Sequence, residues 1–339
     1  MEMKEVRGNA RDRMKGFCRV CVTCDGRACS GEVPGMGGLG TGSTFRANVD
    51  ALGFVKLNMR VLHEAADPDT SVEILGLKLD LPVLAAPIGG VSFNMGDKVT
   101  ESDYISSKLA GCKAKGIIGC TGDGVPEFIY QSAFAAISGL GGHGIPFIKP
   151  WEDAELFEKL DKAVATGAPA IGMDVDACGL VTLRKMGRPV SPRSVEQMKA
   201  VRKRVDAKFI LKGIMTPDEA RKAVDIGADA IVVSNHGGRV LDHAPGTADV
   251  LADVADAVKG QITVLADGGV RTGVDVLKFL ALGADAVMIG RPFSIASIGG
   301  GQEGVETYLD ALRGELNAAM VLTGTASAAS VSRDILWNV

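Results

Sequence analysis

One short run holds groups that can move a proton and grip an anion: Ser234-Asn235-His236-Gly237-Gly238-Arg239-Val240-Leu241-Asp242. His236 is the residue in it whose charge changes near neutral pH. Arg239, three positions on, has a planar fork of donors that fits a carboxylate. The run follows Ala230-Ile231-Val232-Val233, a β-branched stretch that reads as a buried parallel strand. Its polar groups therefore fall at a strand's carboxyl end, where α/β folds bind ligands.

Other strand ends carry further chemistry. Lys212 closes the apolar run Phe209-Ile210-Leu211 and reads as a buried cation that needs an anionic partner. Asp174 and Asp176 flank Val175 at the end of another run, and strand alternation puts both on one face. Either one can hold an imidazole in place, and a pair of helix N-caps is the plainer alternative. Asp267-Gly268-Gly269-Val270-Arg271 and Gly290-Arg291-Pro292 end the last two runs. In each, glycine lets backbone N–H groups approach an anion, a helix start adds a favourable dipole, and an arginine adds charge. Together they predict a site for a phosphorylated cofactor or substrate.

Cys18, Cys21, Cys24 and Cys29 give the pattern C-x2-C-x2-C-x4-C. Thiolates so spaced suit an Fe–S cluster or a Zn ion, although the last gap is longer than in bacterial Fe–S runs and no proline follows; reduced thiols packed in a lid are the third reading. Cys112, Cys120 and Cys178 read as buried small apolar residues. Gly35-Met36-Gly37-Gly38-Leu39-Gly40 spells G-x-G-x-x-G but follows no strand, so it reads as a loop near the site and not as a dinucleotide fingerprint. His63, His143 and His243 have no evident partners and read as structural or exposed.

The elements that must position these groups follow a rhythm. Apolar runs at 83–87, 116–121, 145–148, 170–176, 209–212, 230–233, 262–267 and 286–290 alternate with helix-like stretches such as 151–165, 194–205, 218–225 and 273–282. Gly167-Ala168-Pro169-Ala170-Ile171, Gly227-Ala228-Asp229-Ala230-Ile231 and Gly283-Ala284-Asp285-Ala286-Val287 repeat a helix stop followed by a strand. Eight βα units predict a (β/α)8 TIM barrel, with a doubly wound open sheet as second choice. Helical spacing over 44–62 and a hairpin over 71–79 are expected to cap the barrel's bottom. Residues 1–43 form an irregular Cys/Gly-rich segment in this reading, and 44–339 the barrel.

Composition narrows the partners. The chain has 339 residues, 46% apolar and 5% aromatic, with 37 basic against 41 acidic side chains. A net charge of −4 without a basic stripe argues against nucleic acid and points to small molecules. The charged start, Met1 to Lys15, and the lack of a long apolar run predict a cytoplasmic protein without membrane insertion.

Leu211-Lys212-Gly213-Ile214, the Val233–Asp242 run, Asp267–Gly273 and Gly290-Arg291-Pro292, in this order, resemble the FMN-dependent α-hydroxy acid oxidase and dehydrogenase family, relatives of glycolate and lactate oxidases. The resemblance implies a barrel with FMN at its mouth, a 2-hydroxy acid as substrate and a homotetramer. It implies that His236 takes the hydroxyl proton while hydride passes to flavin N5, and that Arg239 binds the carboxylate. Asp176 would support the imidazolium and Lys212 would face flavin N1 and O2. The phosphate would lie on Gly268, Gly269, Arg271, Gly290 and Arg291 beside Asp267, and the ring system against Pro87, Ile88, Gly89, Thr121 and Ser234.

The chain also departs from the family. Phe147-Ile148-Lys149 stands where the family has Gln-Leu-Tyr, and Asp174-Val175-Asp176 where it has Thr-Val-Asp. Lys149 is thereby expected to meet a second acidic group on the substrate, Arg184 is the nearest match to the second substrate arginine, and the cysteine segment replaces an amino-terminal helix. Two alternatives compete. An FMN-dependent isomerase of the type 2 isopentenyl diphosphate kind lacks its His-Leu-Asn motif here. A non-catalytic flavin/Cys redox sensor would have little need for His236, Arg239 and Lys212 together.

Overall fold

The eight apolar runs become eight parallel strands that close on themselves. The computed structural model describes residues 1–33 and 35–337. An antiparallel hairpin, β1 (Val72–Ile74) and β2 (Leu77–Leu79), leads into β3 (Val83–Ile88), β4 (Ile118–Thr121), β5 (Ile145–Ile148), β6 (Ala170–Asp174), β7 (Lys208–Ile214), β8 (Ala230–Val233), β9 (Thr263–Ala266) and β10 (Ala286–Ile289). Neighbours in the chain are neighbours in the sheet, and β10 pairs with β3 through Val287 and Val83, so the barrel is closed and the open-sheet alternative falls. Both faces of each strand are covered, which is why a strand such as Ala230-Ile231-Val232-Val233 is apolar throughout and fully buried.

The helices are α1 (Met3–Arg13) and α2 (Ser43–Phe54) before the barrel, α3 (Val91–Asn94) and α4 (Glu101–Ala114) after β3, α5 (Glu127–Gly139) after β4, and α6 (Asp153–Val164) after β5. Then come α7 (Val181–Lys185) and α8 (Val195–Arg204) after β6, and α9 (Pro217–Ile226), α10 (Thr247–Val258) and α11 (Gly273–Ala281) after β7, β8 and β9. The last, α12 (Arg291–Thr323), breaks at Gly301. Of the repeated glycines, Gly227 caps α9 with φ 83°, whereas Ala165 and Leu282 cap α6 and α11 and Gly167 and Gly283 follow those caps. No helix among the described residues is long and apolar enough to cross a membrane.

Three expectations need correction. The first residues are helical, not irregular: α1 buries Val6 and Ala10 and lies so close to α12 that a Cβ on Gly299 would meet Val6 O at 2.1 Å. An amino-terminal helix is therefore present, with the cysteine segment following it. The helical spacing over 44–62 ends at Phe54, because the chain beyond runs extended against the carboxyl terminus, with Asn58 N–H donating to Ile335 O (2.7 Å) and Trp337 N–H to Lys56 O (2.9 Å). Finally, only the hairpin sits where the barrel strands begin. α2 lies at their carboxyl ends, where Asn48 bonds Asn235.

α4 holds a buried cation against the strand that opens the barrel. Lys108 is fully buried, donates to Ala86 O at 3.5 Å and lies over the Tyr104 ring at 4.9 Å. Burial pushes its ammonium down to about 8. Below that pH the charge is retained at a cost of about 3 kcal/mol, and the cost is relieved as pH rises from about 8 to the unfolded value near 10.4. Lys108→Met is accordingly expected to raise the melting temperature at pH 7 by a few degrees, with the gap to the unsubstituted protein narrowing as pH rises towards 10.4 in thermal scans.

Candidate active site

At the carboxyl ends of the strands a cavity of about 270 Å³ opens. β8 ends at Val233, and the loop that follows turns through three left-handed residues, His236 (φ 57°), Gly237 (φ 63°) and Gly238 (φ 79°). A histidine in that region is strained, and the surroundings over-determine it. Ser234 Oγ accepts the His236 N–H at 3.1 Å, and Asn235 Oδ1 accepts the Gly238 N–H at 3.1 Å. Asn48 of α2 exchanges two side-chain hydrogen bonds with Asn235, at 2.8 and 2.9 Å. The loop is thus clamped from a helix nearly two hundred residues earlier.

The imidazole is oriented by a carboxylate. His236 Nδ1 lies 2.9 Å from Asp176 Oδ1, so Nδ1 carries the proton and Nε2 is the nitrogen left to act as base. Asp176 follows β6 in a short 3-10 turn, Val175–Gly179. It packs where β7 breaks register at Gly213: a Cβ there would meet Asp176 Cβ at 2.6 Å. Burial opposes the charge on Asp176, yet His236 and Lys212 beside it hold its carboxyl below the usual range. Lys212 is likewise buried, and Asp176, Asp267 and Asp174 overcome that burial to raise its ammonium above the usual value. Lys212 Nζ lies 3.5 Å from Asp174 and 3.8 Å from Asp267.

Three arginines reach the same cavity, and none has a carboxylate partner within 4 Å among the described residues. Arg239 donates to Asn94 Oδ1 (2.9 Å) and to Gly35 O, Arg271 to Cys24 O (3.1 Å), and Arg291 to Met36 O (2.8 Å) and Gly237 O (3.1 Å). Burial, with Arg291 nearby, pushes Arg239 down to about 10, and burial brings Arg291 to about 10 as well. Half-buried guanidiniums that share each other's field and meet neutral oxygens and, at Arg271, a thiol form a site for anions.

The carbonyls of Cys24, Gly35 and Met36 come from a strap across the cavity, described over residues 16–33 and 35–42, that is tied down at Asp242, which accepts the N–H groups of Thr41 (2.6 Å) and Ser43 (3.1 Å). The G-x-G-x-x-G stretch belongs to this strap and borders the cavity, as expected of a loop near the site. The two metal readings of the cysteines find no support. No three of Cys18, Cys21, Cys24 and Cys29 bring their sulfurs within 4.8 Å of one another, and the one such ligand cluster among the described residues is Asp174, Asp176 and His236. Their sulfurs are diverted locally: Cys24 Sγ lies 3.4 Å from Arg271 Nη2, and Cys18 Sγ accepts the Val20 N–H at 3.3 Å. Burial also raises Cys18 and Cys29, which disfavours the thiolate a metal needs.

Most predicted residues converge. His236, Lys212, Arg239, Lys149, Pro87, Ile88, Gly89, Asp267, Gly268, Gly269, Arg271, Gly290 and Arg291 all line the cavity. Thr121 and Ser234 are buried just behind it. Lys149 arrives already paired, 3.5 Å from Asp174. Arg184 does not line the cavity; it donates to Cys178 O at 3.3 Å, while the next residue, Lys185, is on the wall and donates to Val33 O at 3.2 Å. Cys178 is half-buried, not buried.

The wall fits FMN on its own chemistry. One side is apolar, with Pro87, Ile88, Val125, Ile129 and Met288. The other offers Gly268 (φ 106°) and Gly269 (φ 85°) and the uncapped start of α12 at Gly290, beside Arg271 and Arg291. Thr121 Oγ1, Asp267 Oδ1 and Arg271 Nε are buried polar atoms without a hydrogen-bond partner, waiting for a ligand's donors and acceptors.

Known proteins are similar to this chain in sequence and fold. A family model described as FMN-dependent dehydrogenase matches residues 35–192 and 180–338. L-lactate dehydrogenases from Ectopseudomonas mendocina and Alcaligenes faecalis are each 32% identical over 88% of this chain and 92% of theirs. Among solved structures, mandelate oxidase with a difluorinated phenyl hydroxy acid superposes with TM-score 0.81 at 30% identity, covering 99% of this chain and 98% of that one. A mandelate oxidase variant with an FMN adduct gives 0.80 at 30% identity, with 98% of each chain covered.

Proposed function

Because the chain belongs to the FMN-dependent dehydrogenase family, we propose that it binds FMN at the barrel mouth and oxidises a 2-hydroxy acid to the 2-oxo acid. The observation that carries this reading is the convergence in one cavity of an oriented imidazole, a buried lysine and three arginines without carboxylate partners. Gly268, Gly269, Arg271, Gly290 and Arg291 would hold the cofactor phosphate, since backbone N–H groups, a helix start and two guanidiniums meet there. Pro87, Ile88 and Gly89, with Thr121 and Ser234, would hold its ring system.

Arg239 takes the substrate carboxylate, which exchanges places with the neutral Gly35 carbonyl. His236 Nε2 accepts the hydroxyl proton, and Asp176 stabilises the imidazolium that results. Bound flavin supplies the acceptor for the hydride that leaves the α-carbon. The Lys212 ammonium would stabilise the negative charge that reduction adds to the cofactor. Lys149 is neutralised by Asp174, so the substrate's one carboxylate belongs to Arg239, with Lys185 the next cation on the wall. The remaining wall, Phe93, Val125, Leu180, Leu183 and Met186, is apolar and suits a 2-hydroxy acid with an apolar side chain.

The test is turnover by the FMN-loaded protein with a redox dye as electron acceptor, scored by the 2-oxo acid formed. Acids with apolar side chains are expected to outpace glycolate. Failure to retain FMN, or retention without oxo acid from any member of the panel, contradicts the reading.

A further inference from the structure

Three charged side chains stand on one rung of the barrel. Asp174 is in register with Lys212 across β6 and β7. Ile148 is in register with Met173 across β5 and β6, so the next residue, Lys149, falls beside Asp174. The carboxylate sits between two ammonium groups, with Oδ2 3.5 Å from Lys149 Nζ and Oδ1 3.5 Å from Lys212 Nζ. All three side chains are at least nine-tenths buried, and Asp174 Oδ1 has no other hydrogen-bond partner.

Lys149 is held from behind. Asp123, at the strand end before it, accepts the Lys149 backbone N–H at 3.2 Å and is itself fixed by Trp151 Nε1 and by Lys159 Nζ at 3.0 Å. The backbone of Lys149 is thus fixed, and its ammonium lies against Asp174.

Charge counting gives the rung a purpose. Lys212 lies within 4 Å of two carboxylates, Asp174 and Asp267, and the charge of Asp176 acts on it as well, so the carboxylates outweigh its single charge. Lys149 offsets one of these negative charges. Removing Lys149 makes this group more negative, and removing the Asp174 charge makes it more positive. In a buried site such changes are not screened by salt as surface charges are.

We propose that Lys149 and Asp174 are a positioning pair that sets the electrostatic potential Lys212 presents to the flavin, with Asp174 reducing the field of Lys212 and Lys149 offsetting Asp174. This rests on the reading that FMN occupies the cavity with its reducible edge at Lys212. The pair acts through Lys212 and not by touching substrate.

The experiment is a sulfite titration of the FMN-loaded protein, followed by flavin bleaching, because sulfite adds to oxidised flavin more tightly when its surroundings are more positive. Lys149→Met is expected to weaken sulfite binding by about tenfold or more and Asp174→Asn to tighten it by about tenfold or more, with the double variant returning to within about threefold of the unsubstituted protein. Opposite signs are the signature, since damage to the site weakens binding in both variants. Shifts in the same direction, or two shifts below about twofold, overturn the proposal. Should Lys149→Met not fold, Asp174→Asn decides alone: tighter binding supports the pair, and unchanged or weaker binding overturns it. Failure of the unsubstituted protein to bind FMN overturns the flavin reading itself, and the pair's role with it, and is told apart by the missing flavin spectrum before any sulfite is added.

Discussion

Replacing His236 by alanine is expected to slow flavin reduction by a 2-hydroxy acid by about 10²- to 10⁴-fold while FMN stays bound. The proton on the substrate hydroxyl must leave as the α-carbon loses hydride, and Nε2 of His236 is the base the geometry offers. Its partner nitrogen is already held 2.9 Å from Asp176. FMN should remain because its phosphate end is built from other loops, those after β9 and β10, and because the loop's backbone is held by Ser234, Asn235 and Asn48 independently of the imidazole. Rapid mixing under anaerobic conditions separates the two effects. A variant that also loses FMN would place His236 in the scaffold, and one that reduces flavin at the original rate would remove it from the chemistry.

Arg239→Met is expected to lower kcat/KM by about 30- to several thousand-fold, the equivalent of about 2–5 kcal/mol for truncating a buried partner of a charged ligand. The loss should fall mainly on KM, because a carboxylate is gripped alike before and during the reaction. Arg239→Lys is expected to recover little, since a point charge does not reproduce the fork. Steady-state rates with the acid and with its amide check this: the substitution should hurt the acid and leave the uncharged amide almost unaffected. Equal losses for both would show that Arg239 does not read the carboxylate.

The parts of the molecule that were legible in the sequence are those where local pattern and tertiary role agree. The barrel strands are buried on both faces, so each appears as an apolar run, and a glycine that stops the preceding helix marks where several begin. The loops after them carry their polar groups within a few residues of the strand end, which is why His236, Lys212, Arg271 and Arg291 could be named from position alone. α1 was not legible, because a helix that rests on close approach to α12 needs only Val6 and Ala10 as its buried stripe among many charges. Asn48 gave no signal: a buried asparagine in an amphipathic helix looks like any polar position until Asn235 is placed beside it.

The misreadings have a common cause. The cysteine spacing is a ligand spacing only if the sulfurs converge, and here the local backbone and Arg271 divert them. Arg184 and Lys185 are adjacent in sequence but only Lys185 reaches the cavity, a distinction set by the orientation of the short α7. Asp123 was overlooked although a carboxylate between two glycines at a strand end was a usable clue; it holds Lys149 and Trp151 together. The strap's grip on the three arginines joins residues more than two hundred positions apart. Local pattern carries no trace of such contacts.

The most direct test of the central claim is to mix the FMN-loaded protein anaerobically with 2-hydroxy acids of graded side-chain size and follow the flavin absorbance. The account predicts that the oxidised flavin spectrum bleaches with at least one acid bearing an apolar side chain, with one equivalent of 2-oxo acid per flavin. A spectrum that stays oxidised with every acid, while a chemical reductant bleaches it, would contradict the assignment of this barrel as a 2-hydroxy acid oxidoreductase.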